Sequence, residues 1–356
     1  ERMWLLLRRV QQMGVNEIRG DIVLDRSAFA ANHHNPADFD GEPLRPYNVG
    51  ADALLLNYKS VVLTIAPDPA RGVAWVGVDP SLAGVQVDRP NVPLIEGACN
   101  DWRGGLRADV ADPLRVSFNG SYPASCGEKL WTLAHGDPKA YNERALVGLW
   151  HEMGGKFTGV VRDGDAPNSK PSFEMVSPTL AEVVREINKY SSNVMAQQLF
   201  LTLGSTQRGA GTAESAREVL KGWISARLGK AAGTGMVIDN GSGLSRDSRA
   251  SAQVFARLLQ TAWSSAVMPE LLSSLPVSGV DGTLRRSRTN VGRAHLKTGS
   301  LRDVAGVAGY VLSNTGRRHV LVAIINHPNA NSARPALDAL VQWAINDNQP
   351  APDPLN

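Results

Sequence analysis

Nothing near the start of the chain is apolar for long enough to cross a bilayer. The strongest run there is MWLLL, residues 3–7, against the ~20 residues that a spanning helix needs. The same stretch lacks the flanks of a signal peptide. Metal chemistry has little to build on, because neither CxxC nor HExxH spacing occurs. One-sided charge is also missing. Lys and Arg number 37 against 34 Asp and Glu, a net charge of +3. No basic cluster is interleaved with aromatics, so the electrostatic grounds for a nucleic-acid partner are absent. Cysteine is scarce: Cys99 in EGACNDW and Cys126 in YPASCGEKL, both in loop-like text. Either the two close one disulfide over a loop of about 26 residues, worth ~3 kcal/mol of loop entropy and a mark of an oxidising compartment, or they are free, half-buried thiols. Internal repeats and low-complexity segments are not seen.

What is present is an ordinary globular composition, 43% apolar and 20% charged, over 356 residues. That length suffices for two or three domains with a sizeable core. Residues 2–13 read as a helix, with Leu6, Leu7, Val10 and Met13 on one face and Gly14 ending it. EIRGDIVLD follows as a strand. From there to about residue 135, β-branched runs such as SVVLTIAPDP and GVAWVGVDP alternate with Gly, Pro, Asn and Asp breaks, the pattern of a β-rich region with many turns. The spacing predicts a helix at about 137–153, with Asp137 before Pro138 as its start, then a short strand in KFTGVVRDG. GDAPNSKPSF, residues 164–173, reads as a connection between domains.

The composition then changes. A helix capped by Ser177-Pro178 is expected to run to about Tyr190, a second to start after SSN, and a third to span about 212–228. A fourth starts near Ala252. Strands follow at about 293–299, 304–312 and 318–326, the last two joined by the Gly-containing turn SNTGR, and a helix at 334–346 closes the chain. Helices followed by an antiparallel hairpin sheet indicate an α+β domain with helices packed on the sheet. The boundaries expected are 1–165 for the β-rich part and 166–356 for the remainder.

Two short motifs carry chemistry. In HLKTGSL, Lys297 offers a fixed cation and Thr298 a hydroxyl, together suited to a carboxylate. Gly299 lets a substrate approach the backbone, and the Ser300 N–H is free to meet a developing oxyanion. The plain alternative is a strand end with an exposed lysine. In NKYSSNVMA, Ser191 and Asn193 stand at the break between two helices. Ser191 suits proton relay and Asn193 suits a substrate amide. The plain alternative makes Ser192 an N-cap and the rest a linker. The collinear pair is more specific than either member. It follows the order of the second and third motifs of serine acyl-transferases with Ser-x-x-Lys, Ser-x-Asn and Lys-Thr-Gly.

With GVNEIRGDIVLDRSAF, RPYNVGADALLLNYKSV, YSSNVMAQQL, DNGSGLSR, LPVSGVDGTLRRS and HLKTGSL, the chain resembles the class C low-molecular-mass penicillin-binding proteins, which are serine D-alanyl-D-alanine carboxypeptidase/endopeptidases. The likeness runs from about residue 10 to about residue 345. It implies a penicillin-binding/β-lactamase-like transpeptidase domain, interrupted by inserted β-rich domains between its first and second motifs. It implies cleavage of D-Ala-D-Ala or D-Ala-diaminopimelate bonds in peptidoglycan, acylation by β-lactams, no cofactor, and a periplasmic location. By that resemblance Ser191, Asn193 and Lys297 are catalytic, and Thr298, Gly299 and Ser300 bind substrate. A β-lactamase is disfavoured by the large β-rich insertion.

One departure stands out. No serine has a lysine three residues on, although i and i+3 share a helix face and the chemistry wants that spacing. The nearest miss is Ser125 with Lys129. The chain starts with Glu1, and the expectation is N-terminal truncation, with the nucleophile upstream. The alternative is a homologue that binds peptidoglycan without catalysis. Either way the polypeptide as it stands is expected not to turn over substrate, and its sheet is expected to lack partners. Elsewhere, His33, His34, Asp38, Asp40 and Glu42 gather in a polar loop that a metal could use. Gly241 and Gly243 mark a tight turn around Ser242. His295 and His327 read as structural, and GTGMVIDNGSG is no dinucleotide fingerprint.

Overall fold

The computed structural model describes residues 1–30, 34–88, 90–287 and 290–347. The chain divides into two compact units, Glu1–Met175 and Val176–Asn356. Among the described residues no helix is long and apolar enough to cross a membrane.

The first unit is built on a five-stranded sheet. Its order is Lys129–Ala134, Ser60–Asp68, Val73–Asp79, Asn91–Ile95 and Tyr122–Pro123. SVVLTIAPD alternates, so Val61, Leu63 and Ile65 fall on one face. There they are buried with Ala74, Val76, Val92, Leu106 and Tyr122. The helix Tyr141–Glu152 adds Tyr141 and Ala145 to this core. It starts four residues later than Asp137 suggests. Asp137 Oδ1 takes the N–H groups of Lys139 and Ala140 (3.1 and 3.3 Å) in a turn of its own, and the helix begins only beyond it. EIRGDIVLD and KFTGVVRDG each split into two short strands. Glu17–Ile18 pairs in parallel with Lys156–Phe157, and Ile22–Leu24 with Val161–Asp163.

Cys99 and Cys126 are joined in a disulfide 27 residues apart in sequence. Closing a loop of that length removes about 3 kcal/mol of freedom from the unfolded chain. Replacing both with serine is therefore expected to destabilise this unit by roughly that amount, measured by denaturant unfolding. Equal stability with and without reductant would show that the bond contributes nothing.

In the acidic loop, Asp40 accepts from Tyr47 Oη at 2.9 Å and Asn48 Nδ2 at 2.7 Å, and His34 Nε2 lies 2.6 Å from Asn48 O. His33 lies outside the described residues. Among the described residues no His, Cys, Asp and Glu side chains gather as a metal site.

The second unit is α+β. Strands Ala294–Leu301, Val304–Leu312 and Arg318–Asn326 form an antiparallel sheet in sequence order. The last two are joined by a turn in which Ser313 N–H donates to Arg317 O, and Gly316 takes the left-handed φ of 83°. Leu296, Val311 and Leu321 face the closing helix Arg334–Ile345 through Val341, Ala344 and Ile345. On the opposite face Tyr310, Val320 and Val322 meet Leu259 and Trp263 of helix Ala252–Trp263. A helix that the sequence reading missed, Met268–Ser274, adds Leu272 there. Helices Leu180–Tyr190, Asn193–Arg208 and Ala213–Leu228 complete the unit. The first of these is capped by Thr179, not by Ser177-Pro178. Thr179 has Glu182 three residues on and forms a capping box with it, whereas Ser177 has Leu180 in that position.

Candidate active site

Helix Leu180–Tyr190 ends at Ser191, which takes left-handed dihedrals (φ 56°, ψ 45°). A non-glycine residue there is strained by roughly 1–2 kcal/mol. Such outliers cluster where function fixes the backbone. Ser192 N–H returns to Ile187 O (3.1 Å), and Ser192 Oγ receives Met195 N–H (3.4 Å) as the cap of the next helix. The plain reading holds for Ser192, the N-cap of the next helix. Ser192 serves the backbone, and that leaves Ser191 and Asn193 on the tip of the break.

Along Ala294–Leu301 the side chains alternate. Ala294 and Leu296 join the core under the closing helix. Thr298 and Ser300 continue that row, whereas His295 and Lys297 take the other face. His295 Nδ1 lies 3.2 Å from Leu272 O. Lys297 Nζ donates to Ser191 Oγ at 2.7 Å and to Thr298 O at 3.0 Å. Burial pulls its proton affinity down to about 8, and no carboxylate pairs with it among the described residues. A Cβ placed on Gly299 would meet nothing within 4 Å, so the strand is open at that point.

Asn193 Nδ2 donates to Ser242 O at 3.3 Å. That oxygen belongs to the turn formed by DNGSG, in which Gly241 and Gly243 have φ of 76° and 79°. The Ser242 hydroxyl is committed within the turn. It donates to Asn240 Oδ1 (2.8 Å) and accepts Leu244 N–H (3.1 Å), which suits structure and not attack. His327 Nδ1 likewise serves the backbone, accepting Asn329 N–H at 3.0 Å.

The structure thus brings Ser191, Lys297 and Thr298 into one hydrogen-bonded group, with Asn193 two residues from Ser191 on its own turn contact. It also adds residues that sequence reasoning missed. Thr283 Oγ1 lies 3.0 Å from Thr298 Oγ1. Just before it, Asp281 forms an ion pair with the buried Lys189 at 2.7 Å. Ser300 Oγ, on the exposed end of the strand, meets Asn331 and Arg334. VDGTL was visible as a likeness, but no spacing rule links it to the lysine strand.

A lysine on an open strand of an α+β unit, hydrogen-bonded to a serine at a helix break, is the setting that Lys-Thr-Gly and Ser-x-Asn motifs have in serine acyl-transferases of the penicillin-binding type. The D-Ala-D-Ala carboxypeptidase 3 (S13) family matches residues 1–347, and the chain belongs to that family. It is 26% identical over 348 residues to the D-alanyl-D-alanine carboxypeptidase of an Actinomadura species, a match that takes in 91% of this chain and 62% of the relative. It is 22% identical over 338 residues to the D-alanyl-D-alanine carboxypeptidase DacB of Haemophilus influenzae, covering 91% of this chain and 68% of that one. The crystal structure of penicillin binding protein 4 (dacB) from the same organism superposes with a TM-score of 0.68 at 21% identity, over 95% of this chain and 78% of that chain. That likeness shows a shared fold. The chain spans 62% of the length of the Actinomadura relative.

Proposed function

We propose that the chain carries the substrate-binding and proton-relay parts of a serine D-Ala-D-Ala carboxypeptidase/endopeptidase, acting on peptidoglycan stem peptides and cross-links and acylated by β-lactams. The observation that supports this most is the 2.7 Å hydrogen bond from Lys297 Nζ to Ser191 Oγ, between residues 106 apart in sequence. In this reading an attacking serine oxygen bonds to the carbonyl carbon of the penultimate D-Ala, and the C–N bond breaks. The leaving amine gains a proton from the Ser191 hydroxyl, which is resupplied with the proton of the attacking serine. Asn193 holds the substrate amide. Lys297 and Thr298 hold the terminal carboxylate, Gly299 leaves room for the peptide, and the Ser300 N–H donates to the oxyanion. One such donor is typically worth about 3 kcal/mol.

The 356 residues hold no Ser-x-x-Lys. Loss of the nucleophile from such a unit costs about 10⁶ in rate, so the polypeptide as given is proposed to bind without turnover. Residues 1–165 are proposed as inserted accessory domains, and 166–356 as the C-terminal part of the transpeptidase-like domain. The disulfide fits a periplasmic setting. The missing motif also favours a second reading, a peptidoglycan-binding homologue without catalysis. Fluorescent penicillin added to the full-length gene product separates the two: a covalent adduct supports the enzyme, and its absence supports the binder.

The chain itself is tested by titration with a short peptide ending in D-Ala-D-Ala, and with the same peptide as its C-terminal carboxamide. The acid is expected to bind about tenfold more tightly. That advantage should shrink as pH rises past about 8, where Lys297 sheds its proton. Equal affinity for acid and amide at pH 7 would sink the carboxylate site.

A further inference from the structure

One pair in the second unit has the make-up of a nucleophile and its base. Ser191 comes from a helix break and Lys297 from a strand, yet Lys297 Nζ lies 2.7 Å from Ser191 Oγ. That contact is the only hydrogen bond of Ser191 Oγ among the described residues. Lys297 Nζ makes one other, to Thr298 O at 3.0 Å. A carbonyl oxygen can only accept, so it always keeps one N–H of the lysine. Once the ammonium loses a proton, the lone pair is free to take the Ser191 O–H, and the 2.7 Å bond reverses direction. Ser191 is half-buried and ends its helix with left-handed dihedrals. Gly299, two residues beyond Lys297, leaves open space beside the strand. Asn193 Nδ2 spends one N–H on Ser242 O at 3.3 Å, and its other N–H has no partner among the described residues.

A lysine serves as a base only where its charge is expensive. Burial is what brings Lys297 down to about 8, so about a tenth of it is neutral at pH 7. The charged groups on the elements around it are committed to one another. Lys189 pairs with Asp281, near which Arg185 also lies. Asp239 pairs with Arg217 and Asp303 with Arg246. His295, on the same face of the strand, lies against Leu272 O. Among the described residues no carboxylate bonds to Lys297 and holds its proton in place.

We propose that Ser191 is itself an activated nucleophile, with Lys297 as its general base, open to acylation or phosphonylation by groups that carry a good leaving group. This goes beyond the proposed peptide reaction, in which Ser191 only passes a proton. With an aryl ester, Ser191 Oγ bonds to the carbonyl carbon and its proton passes to Lys297 Nζ. The C–O bond to the aryl group then breaks and the aryloxide leaves. The free N–H of Asn193 Nδ2 is the donor at hand for the developing oxyanion. A fluorophosphonate follows the same course: the Oγ–P bond forms, the P–F bond breaks, fluoride leaves, and the proton again goes to Lys297. Ser–Lys pairs are among the arrangements in which such chemistry recurs. Amides, with their poorer leaving groups, lie outside the claim.

The test is labelling of the chain with an alkyl fluorophosphonate, read by intact mass and by peptide mapping of the modified residue. One adduct is expected, on Ser191, at a rate that rises through pH 8 to a plateau as Lys297 becomes neutral. Ser191→Ala should stay unlabelled. Lys297→Met should slow labelling by about 10²-fold or more. Lys297→Arg should do the same, because a guanidinium keeps the charge but takes no proton. Amide exchange in strand Val304–Leu312 checks that each variant is folded. No adduct, an adduct on another residue, or undiminished labelling of Lys297→Arg overturns the inference. The peptide titration separates it from the carboxylate reading. An unlabelled chain that still prefers the acid peptide keeps that reading and loses this one. A chain labelled on Ser191 with no acid preference does the reverse.

Discussion

Replacing Lys297 with methionine is expected to make the second unit more stable at pH 7 while removing its grip on Ser191. Burial is the cause that lowers the proton affinity of this lysine, from an ordinary 10.5 to about 8. At pH 7 the ammonium is charged in both the folded and the unfolded chain, and the folded chain bears the burial penalty. A tenfold change in proton affinity corresponds to about 1.4 kcal/mol, so the penalty is at most roughly 3–4 kcal/mol. The hydrogen bonds to Ser191 and Thr298 offset part of it. The linkage has a definite sign. Between pH 8 and 10.5 the unfolded chain binds more protons than the folded one, so wild-type stability rises with pH there. The relief is complete above the unfolded value and lost as pH falls through 8. The methionine variant has no such slope. Its advantage should be largest below pH 8 and should vanish above about 10.5. Amide exchange in strand Val304–Leu312 reads this unit alone. A wild type that is flat across the window, or a methionine variant that is weaker at pH 7, would falsify the claim that the site holds a costly charge. Residues kept at a cost to stability are a usual mark of function.

The lysine strand was legible because its periodicity and its turn are local. The alternation around Val304–Leu312, the turn at SNTGR and the triplet before it all lie within about thirty residues, a range that pattern rules cover. The helix break at Ser191 was legible for the same reason. The capping errors were also local, but residue type alone does not show which side-chain oxygen bonds the start of the helix. Thr179 wins over Ser177 because Glu182 closes a reciprocal pair of bonds. Asp137 spends its oxygen on a turn before the helix begins. What could not be read is what tertiary packing brings together. Thr283 meets Thr298 across 15 residues, Asn331 meets Ser300 across 31, and Arg334 meets Ser300 across 34. The strand pairs Glu17–Ile18 with Lys156–Phe157 and Ile22–Leu24 with Val161–Asp163 are two residues and three residues long. Such short strands have no periodicity to betray them.

The second large effect is expected at Asp281. Its partner Lys189 is only 5% exposed. Lys189 Nζ donates to Leu275 O at 2.6 Å and Asp281 Oδ1 at 2.8 Å. Removing one member of a buried pair leaves an uncompensated charge and typically costs about 3–5 kcal/mol. The Asp281 side chain is 35% exposed, so Asp281→Ala should fall at the lower end, about 3 kcal/mol. Desolvation is the largest single influence on the Asp281 carboxyl and pushes it upward. The hydrogen bond from Lys189, the Val277 amide and the nearby charges of Lys189 and Arg185 together outweigh it and hold the carboxyl below its ordinary range. The stability it contributes is therefore full above the unfolded value of about 3.9 and lost as pH falls through the lower folded one. Asp281→Ala should lose that acid-side slope as well as stability at pH 7.

The pair also has a positional consequence. Lys189 lies two residues before Ser191, and Asp281 two residues before Thr283, which touches Thr298. Gly282, between them, has a φ of 55°, and a Cβ there would lie 2.6 Å from Lys189 O. The ion pair thus fixes the serine-bearing helix end against the turn that meets the Thr298 hydroxyl. Replacing both charges, as Lys189→Met with Asp281→Leu, separates the two roles. Buried pairs exchanged for apolar side chains of similar volume are often neutral or better in stability. The double variant should therefore recover most of the loss seen in Asp281→Ala. If the pair matters only for stability, peptide affinity returns with it. If it also sets the register of Ser191 against Thr298, which its geometry leads us to expect, stability returns and the acid preference stays about tenfold down.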